Sequence, residues 1–305
     1  MKLGFIGLGK MGSAMTHRLL NHGHDIVTYD VDSDAIDRAI EKGAAGSESY
    51  TDLVHQLESE DRKIIWLMVP AGEIVDETLE EVAPLLGEGD IIVDGGNSNF
   101  NDTIERAKEL ATGGVEYVDA GTSGGLYGEE IGYCQMIGGK KEVVEYLNPL
   151  FQALNIEEGY AHMGDVGSGH YVKMVHNAIE YGMMQSMAEG FELLANGPFE
   201  DVDLKRVTHV WNNGSIIRSY LMELAETAFH NQGNLDHIED HVNDSGEGRW
   251  AVETAIDHAI PFTVNTHAVY ARFRSRQEAS FGAKTLAALR NEFGGHALKT
   301  DKEQH

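Results

Sequence analysis

Lys2-Leu3-Gly4-Phe5-Ile6-Gly7-Leu8-Gly9-Lys10-Met11-Gly12 opens the chain as an apolar run, Lys2–Gly7, that breaks into a G-x-G-x-x-G loop and continues as a helical stretch to Asn21. Each glycine has a separate reason to be there. The first permits the tight turn, the second lets backbone approach a pyrophosphate, and the third lets the helix pack on the strand. Free N–H groups and the dipole at the new helix's N-terminus favour an anion at that point.

The next β-rich run, Ile26–Tyr29, is followed by Asp30, whose carboxylate would accept hydrogen bonds from adenosine ribose hydroxyls and repel a 2′-phosphate. Val31 and Asp32 follow it, not an arginine, so the context selects NAD over NADP. The cofactor-binding candidates are Gly7, Leu8, Gly9, Lys10, Met11, Gly12 and Asp30, with Val69 and Asn97 at later strand ends.

Outward from this loop, β-rich runs at Lys63–Val69, Asp90–Asp94 and Val115–Ala120 alternate with helical patterns such as Glu73–Val82 and Asn101–Leu110. Such alternation implies an α/β fold with a Rossmann-type doubly wound, mostly parallel sheet. After Gly167 the apolar residues take a helical period, with one long helix over Tyr171–Leu194 and shorter ones to about Phe293. The expected division is a dinucleotide-binding domain over 1–166 and an all-helical substrate and oligomerisation domain over 167–305. A charged tail after Leu298 is expected to fray.

The bulk composition excludes several function classes. Fifty acidic against 23 basic residues give a net charge of −27 in 305 residues, dispersed along the chain. Such a surface repels nucleic acid and anionic membranes, and its self-repulsion is relieved by salt, which suggests a salt-rich, halophilic cytosol. No run is long enough to span a bilayer. The N-terminus reads as a first strand rather than a signal peptide, and the one cysteine, Cys134, fits a reducing, cytoplasmic setting. Cys134 is expected to be an ordinary buried thiol. His237-Ile238-Glu239-Asp240-His241 spaces two histidines as a zinc helix would, but Ile238 breaks H-E-x-x-H, and no metal site is expected.

The sharpest constellation is Lys173-Met174-Val175-His176-Asn177-Ala178-Ile179-Glu180-Tyr181. In a helix His176, Asn177 and Glu180 share the face of Lys173. A polar stripe along an otherwise apolar helix is costly unless it lines a polar cavity. Two glycine-rich loops, Asp94-Gly95-Gly96-Asn97-Ser98 and Ala120-Gly121-Thr122-Ser123-Gly124-Gly125, follow strands at the carboxyl edge of the sheet, where ligands of this fold sit.

Together with Gly169–Tyr181, Gly246-Glu247-Gly248-Arg249-Trp250, Ala268-Val269-Tyr270-Ala271-Arg272 and Arg290-Asn291-Glu292-Phe293-Gly294-Gly295-His296, these motifs resemble the decarboxylating 6-phosphogluconate dehydrogenase family, in its short NAD-dependent class. The resemblance implies an oxidoreductase of the pentose-phosphate pathway or gluconate utilization that forms ribulose 5-phosphate and CO2. It implies Lys173 as general base, Glu180 as general acid, and Asn97 and His176 as further catalytic residues. A lysine can take a proton only when neutral. Asn97, Ser123, Gly124, Gly125, His176 and Asn177 would hold the substrate's carboxylate and hydroxyls. Tyr181, Arg249 and Arg272 would hold its phosphate. Arg290 and His296 would reach the neighbouring subunit's site, so a homo-oligomer with a C-terminal segment completing that site is implied.

Two other readings remain open on the residues alone. Another β-hydroxyacid dehydrogenase, of the 3-hydroxyisobutyrate type, shares the glycine loop, Ser-Gly-Gly and the lysine, but needs neither His176 nor Glu180. An NAD-binding regulator without catalysis would have no use for an intact Lys173 and Glu180.

Overall fold

The computed structural model describes residues 1–199 and 201–299; the end of the charged tail, residues 300–305, lies outside the described residues. The chain forms two compact units, Met1–Asn177 and Ala178–His305.

The first unit is built on an eight-stranded sheet: β1 (Lys2–Ile6), β2 (Asp25–Tyr29), β3 (Ala45–Gly46), β4 (Ile64–Leu67), β5 (Ile91–Asp94), β6 (Glu116–Ser123), β7 (Tyr133–Gly138) and β8 (Asn155–Gly164). Its order is β3-β2-β1-β4-β5-β6-β7-β8, and the neighbours run parallel except at β6/β7. The strand order reverses between β1 and β4, so the glycine loop after β1 opens at the switch point of the sheet.

Continuous apolar runs are what a sheet buried on both faces requires. In β4, Ile64 and Trp66 enter one apolar core, with Leu3, Phe5 and Val93, while Ile65 and Leu67 enter the opposite one, with Ile6, Val27 and Ile92. Trp66 is fully buried, with Phe5 stacked 6.3 Å away and Phe151 edge-on at 6.0 Å.

Helices α1 (Lys10–Asn21), α2 (Ser33–Glu41), α3 (Tyr50–His55), α4 (Glu73–Val82) and α5 (Phe100–Ala111) connect the first strands. Asp32, Ser49 and Asn99 cap the N-termini of α2, α3 and α5 by accepting from backbone N–H groups. Shorter helices α6 (Gly128–Ile131), α7 (Lys141–Tyr146) and α8 (Asn148–Leu154) serve the last strands. The long helix α9 (Ser168–Ala195) then begins, and the two compact units divide within it, after Asn177.

Cys134 corrects one expectation. It is exposed, not buried. It sits near the start of β7, at the one exposed position of that strand.

The second unit contains the end of α9 and helices α10 (Leu204–Asn212), α11 (Tyr220–Gln232), α12 (Glu247–Asp257), α13 (Thr263–Ser275) and α14 (Phe281–Gly294). Phe191 packs on Trp211 at 6.1 Å and Phe229 at 5.1 Å, and Tyr181 packs with Ala268 and Val269. Helix α14 buries none of its residues, and Phe281, Leu286, Leu289 and Phe293 are each more than half exposed. Among the described residues no helix is long and apolar enough to cross a membrane.

Candidate active site

The glycine loop has the geometry a dinucleotide needs. Gly7 sits at φ 95°, a left-handed conformation that disfavours other residues. A Cβ at Gly12 would lie 2.0 Å from the Gly7 carbonyl oxygen, so only glycine lets α1 approach the loop this closely. A Cβ at Gly9 would meet nothing within 4 Å, which leaves the space a pyrophosphate would take. Asp30 accepts from Leu8 N at 2.5 Å through Oδ2 and from Asp32 N at 2.8 Å through Oδ1. It therefore braces the loop as well as marking the end of β2. Lys10 and Met11 occupy the first turn of α1, and Val69 is half-buried just past β4.

At the end of β5 and in the middle of β6 stand two carboxylates that are partners in strand register, Asp94 and Asp119. Both are essentially buried. Asp94 accepts from Gly96 N at 3.1 Å, Ser98 Oγ at 2.7 Å and Tyr117 OH at 3.1 Å, which fixes the loop that presents the exposed Asn97. Burial pushes the Tyr117 phenol well above its ordinary value, and Asp94 beside it pushes the same way.

Asp119 accepts from Gly167 N at 2.7 Å and His170 N at 2.8 Å, tying the start of α9 to the sheet. Glycines make that docking possible. A Cβ at Gly121 would stand 2.4 Å from the Cβ of Lys173, and one at Gly169 would stand 2.5 Å from the Met136 carbonyl oxygen.

Lys173 is 5% exposed, with Nζ 3.4 Å from His176 Nδ1. His176 Nδ1 lies 2.9 Å from Asn177 Oδ1, and its Nε2 lies 3.4 Å from Ser123 Oγ. An amide oxygen only accepts, so in that pair His176 donates from Nδ1, and Lys173 Nζ stands beside Nδ1 as a close polar neighbour rather than as a donor to it. After Ser123 the chain turns through Gly124 at φ 125° and Gly125 at φ 55°. The first unit thus brings Lys173, His176, Asn177 and Ser123 into one contiguous polar set. Glu180, partly exposed, lies two turns further along α9, about 10 Å by helical rise.

Within the second unit the chain segment Asn243-Asp244-Ser245 gathers Tyr181, Arg249 and Arg272. Arg249 donates to Asp244 through Nε at 2.7 Å and Nη2 at 3.0 Å. Arg276 donates to the same carboxylate through Nη1 at 2.6 Å. Arg272 donates to the Asn243 carbonyl at 2.8 Å and lies 3.6 Å from the centre of the Tyr181 ring. The Tyr181 hydroxyl is 3.2 Å from Ser245 Oγ and accepts from Ser245 N at 3.1 Å. The hydrogen bond from Arg249, outweighing burial and aided by that from Arg276, lowers the Asp244 carboxyl to about 2.

Arg290 and His296 lie exposed in and just after α14; among the described residues no hydrogen bond or ion pair joins them to Tyr181, Arg249 or Arg272. Asp94, Asp119, Asp244 and Arg276 were not among the sequence candidates. The one signal for the first two was an acid closing or interrupting a buried β-rich run.

Comparison with known proteins agrees with this geometry. Residues 2–164 match the model of the NAD binding domain of 6-phosphogluconate dehydrogenase, and residues 169–304 match that of the 6-phosphogluconate dehydrogenase C-terminal domain. YqeC of Bacillus subtilis (strain 168), provisionally named a 6-phosphogluconate dehydrogenase, is 46% identical over 98% of this chain and 99% of its own length. A Haloferax volcanii protein named 6-phosphogluconate dehydrogenase, NAD(+)-dependent, decarboxylating, is 44% identical over 98% of both chains. The structure of Plasmodium falciparum 6-phosphogluconate dehydrogenase superposes with a TM-score of 0.82 at 27% identity, covering 100% of this chain and 67% of that one. This chain, an oxidoreductase with an NAD-binding domain, belongs to the 6-phosphogluconate dehydrogenase family.

Proposed function

We propose that the enzyme oxidatively decarboxylates 6-phosphogluconate to ribulose 5-phosphate and CO2 with NAD as oxidant, in the cytoplasm and in the oxidative pentose-phosphate pathway. The observation that carries this reading is the set Lys173–His176–Asn177–Ser123, on a helix start anchored by Asp119. Gly7–Gly12 and Asp30, with Val69 and Asn97, would hold NAD, which supplies the hydride acceptor. The absence of an arginine after Asp30 supports NAD over NADP.

Lys173 takes the proton from the substrate's 3-hydroxyl as C3 is oxidised. In its protonated form it then stabilises the enolate oxygen that develops as CO2 leaves. Ser123, Gly124, Gly125, Asn97, His176 and Asn177 orient the carboxylate and hydroxyls, and Glu180 delivers the proton to C1 of the enediol, the substrate's former C2, which completes the ketose. Tyr181, Arg249 and Arg272 bind the phosphate. The enzyme works as a homo-oligomer in which Arg290 and His296 complete a neighbouring site. The unburied α14, with four large apolar side chains exposed, supports this part of the reading.

Lys173→Ala and Glu180→Gln test the assignment of roles. Each is expected to lower kcat by about 10²–10⁴-fold, the range for losing a positioned acid or base, with KM for NAD unchanged. A Lys173→Ala enzyme that keeps more than a tenth of its turnover would remove Lys173 as the base.

A further inference from the structure

We propose that Arg276 is a further binding residue for the substrate's phosphate, and that Asp244 is the positioning residue that sets Arg249 and Arg276 side by side to receive it. This rests on the reading of Arg249, Arg272 and Tyr181 as phosphate ligands.

The argument begins with charge. The Asp244 side chain is 2% exposed, and the paired Nε and Nη2 bonds from Arg249 already satisfy both of its oxygens and its charge. A second guanidinium, from Arg276, is nevertheless held on the same carboxylate. Two cations within reach of one anion repel each other, and the surplus charge calls for another anion. Arg272 adds to the surplus, because its partners among the described residues, the Asn243 carbonyl, the Met184 sulfur and the Tyr181 ring, are neutral. Glu253, one turn beyond Arg249 in α12, is the other acid that acts on Arg249. In a chain with a net charge of −27, two guanidiniums on one buried carboxylate and a third on the adjoining Asn243 form an unusual concentration of positive charge.

The geometry leaves donors free for a ligand. Arg249 commits two of its N–H groups to Asp244, and Arg276 commits one, so each keeps others. Their guanidiniums lie 4.9 and 5.2 Å from the centre of the Phe273 ring, which restrains both planes. The Arg249 side chain is 50% exposed and that of Arg276 is 24% exposed, so both remain accessible to an anion. The segment is itself fixed, since Val242 N donates to Ser275 Oγ at the end of α13. A dianionic phosphoryl group fits this arrangement: planar forks bind its oxygens in pairs, and its charge offsets the surplus.

The test uses initial rates of the full-length enzyme with 6-phosphogluconate and NAD. Arg276→Ala is expected to raise KM for 6-phosphogluconate about tenfold or more, to change kcat far less, and to leave KM for NAD as it was. Inhibition by inorganic phosphate should weaken by a similar factor. Arg276→Lys keeps the charge and should recover part of the loss, while Arg274→Ala, in the last turn of α13 and bonded among the described residues to the Gln277 carbonyl, should match wild type. Asp244→Asn should also raise KM for 6-phosphogluconate, because it releases both forks at once. A KM for Arg276→Ala within twofold of wild type, or a shift equal to that of Arg274→Ala, overturns the proposal. Failure of the underlying reading would show separately, as wild-type enzyme inactive on 6-phosphogluconate but active on an unphosphorylated hydroxy acid.

Discussion

Tyr133 carries a buried hydroxyl with no hydrogen-bond partner among the described residues, in a ring that a Cβ at Gly128 would strike. Burial raises its phenol from 10.0 to about 12, with Glu129 adding to the rise. The unfolded chain ionises first, so the stabilising contribution is complete below pH 10 and is lost as the pH climbs towards 12. Tyr133→Phe should therefore flatten the alkaline loss of stability by roughly 1–2 kcal/mol and cost nothing at pH 7, where the unpaired hydroxyl is a liability. Denaturant titrations between pH 8 and 12 check this; parallel curves for the two proteins would contradict it. At this scale the polar face of α9 was legible, because Lys173, His176, Asn177 and Glu180 are spaced to share one helical face within an apolar stretch. Asp94, Asp119 and Asp244 were not. Among 50 acidic residues, a carboxylate that accepts backbone N–H groups looks like any other until burial and partners are seen.

The elements show the same division. Strands β1, β2, β4, β5 and β6 were read to within a few residues, because strands buried on both faces are uninterrupted apolar runs. Helix α4 falls on Glu73–Val82, as its periodicity predicts. Strands β7 and β8 were missed. Tyr133–Gly138 mixes Cys134 and Gln135 into its run, and Asn155–Gly164 is an edge strand with largely outward side chains, so neither carries a clear period. The element on which the proposed function turns is α9, whose start rests on Gly121, Gly169 and Asp119. Gly121→Ala should force the Lys173 backbone away from the sheet, lowering kcat by at least about 10²-fold and stability by about 1–3 kcal/mol. Paired rate and thermal-melt measurements test this. A variant with normal turnover would show that the close contact at Lys173 is not needed.

At the scale of the whole molecule, an NAD-binding sheet unit is followed by a helical unit, and the net charge of −27 is carried by acids spread along the sequence. Self-repulsion of that size is screened as salt is added. The central claim is best tested by initial NADH formation from 6-phosphogluconate at high and low KCl, with NAD and NADP in parallel and CO2 release followed. The expected result is turnover that prefers NAD, gains with salt, and releases one CO2 for each NADH. Oxidation of an unphosphorylated hydroxy acid without CO2, and none of 6-phosphogluconate, would contradict the account.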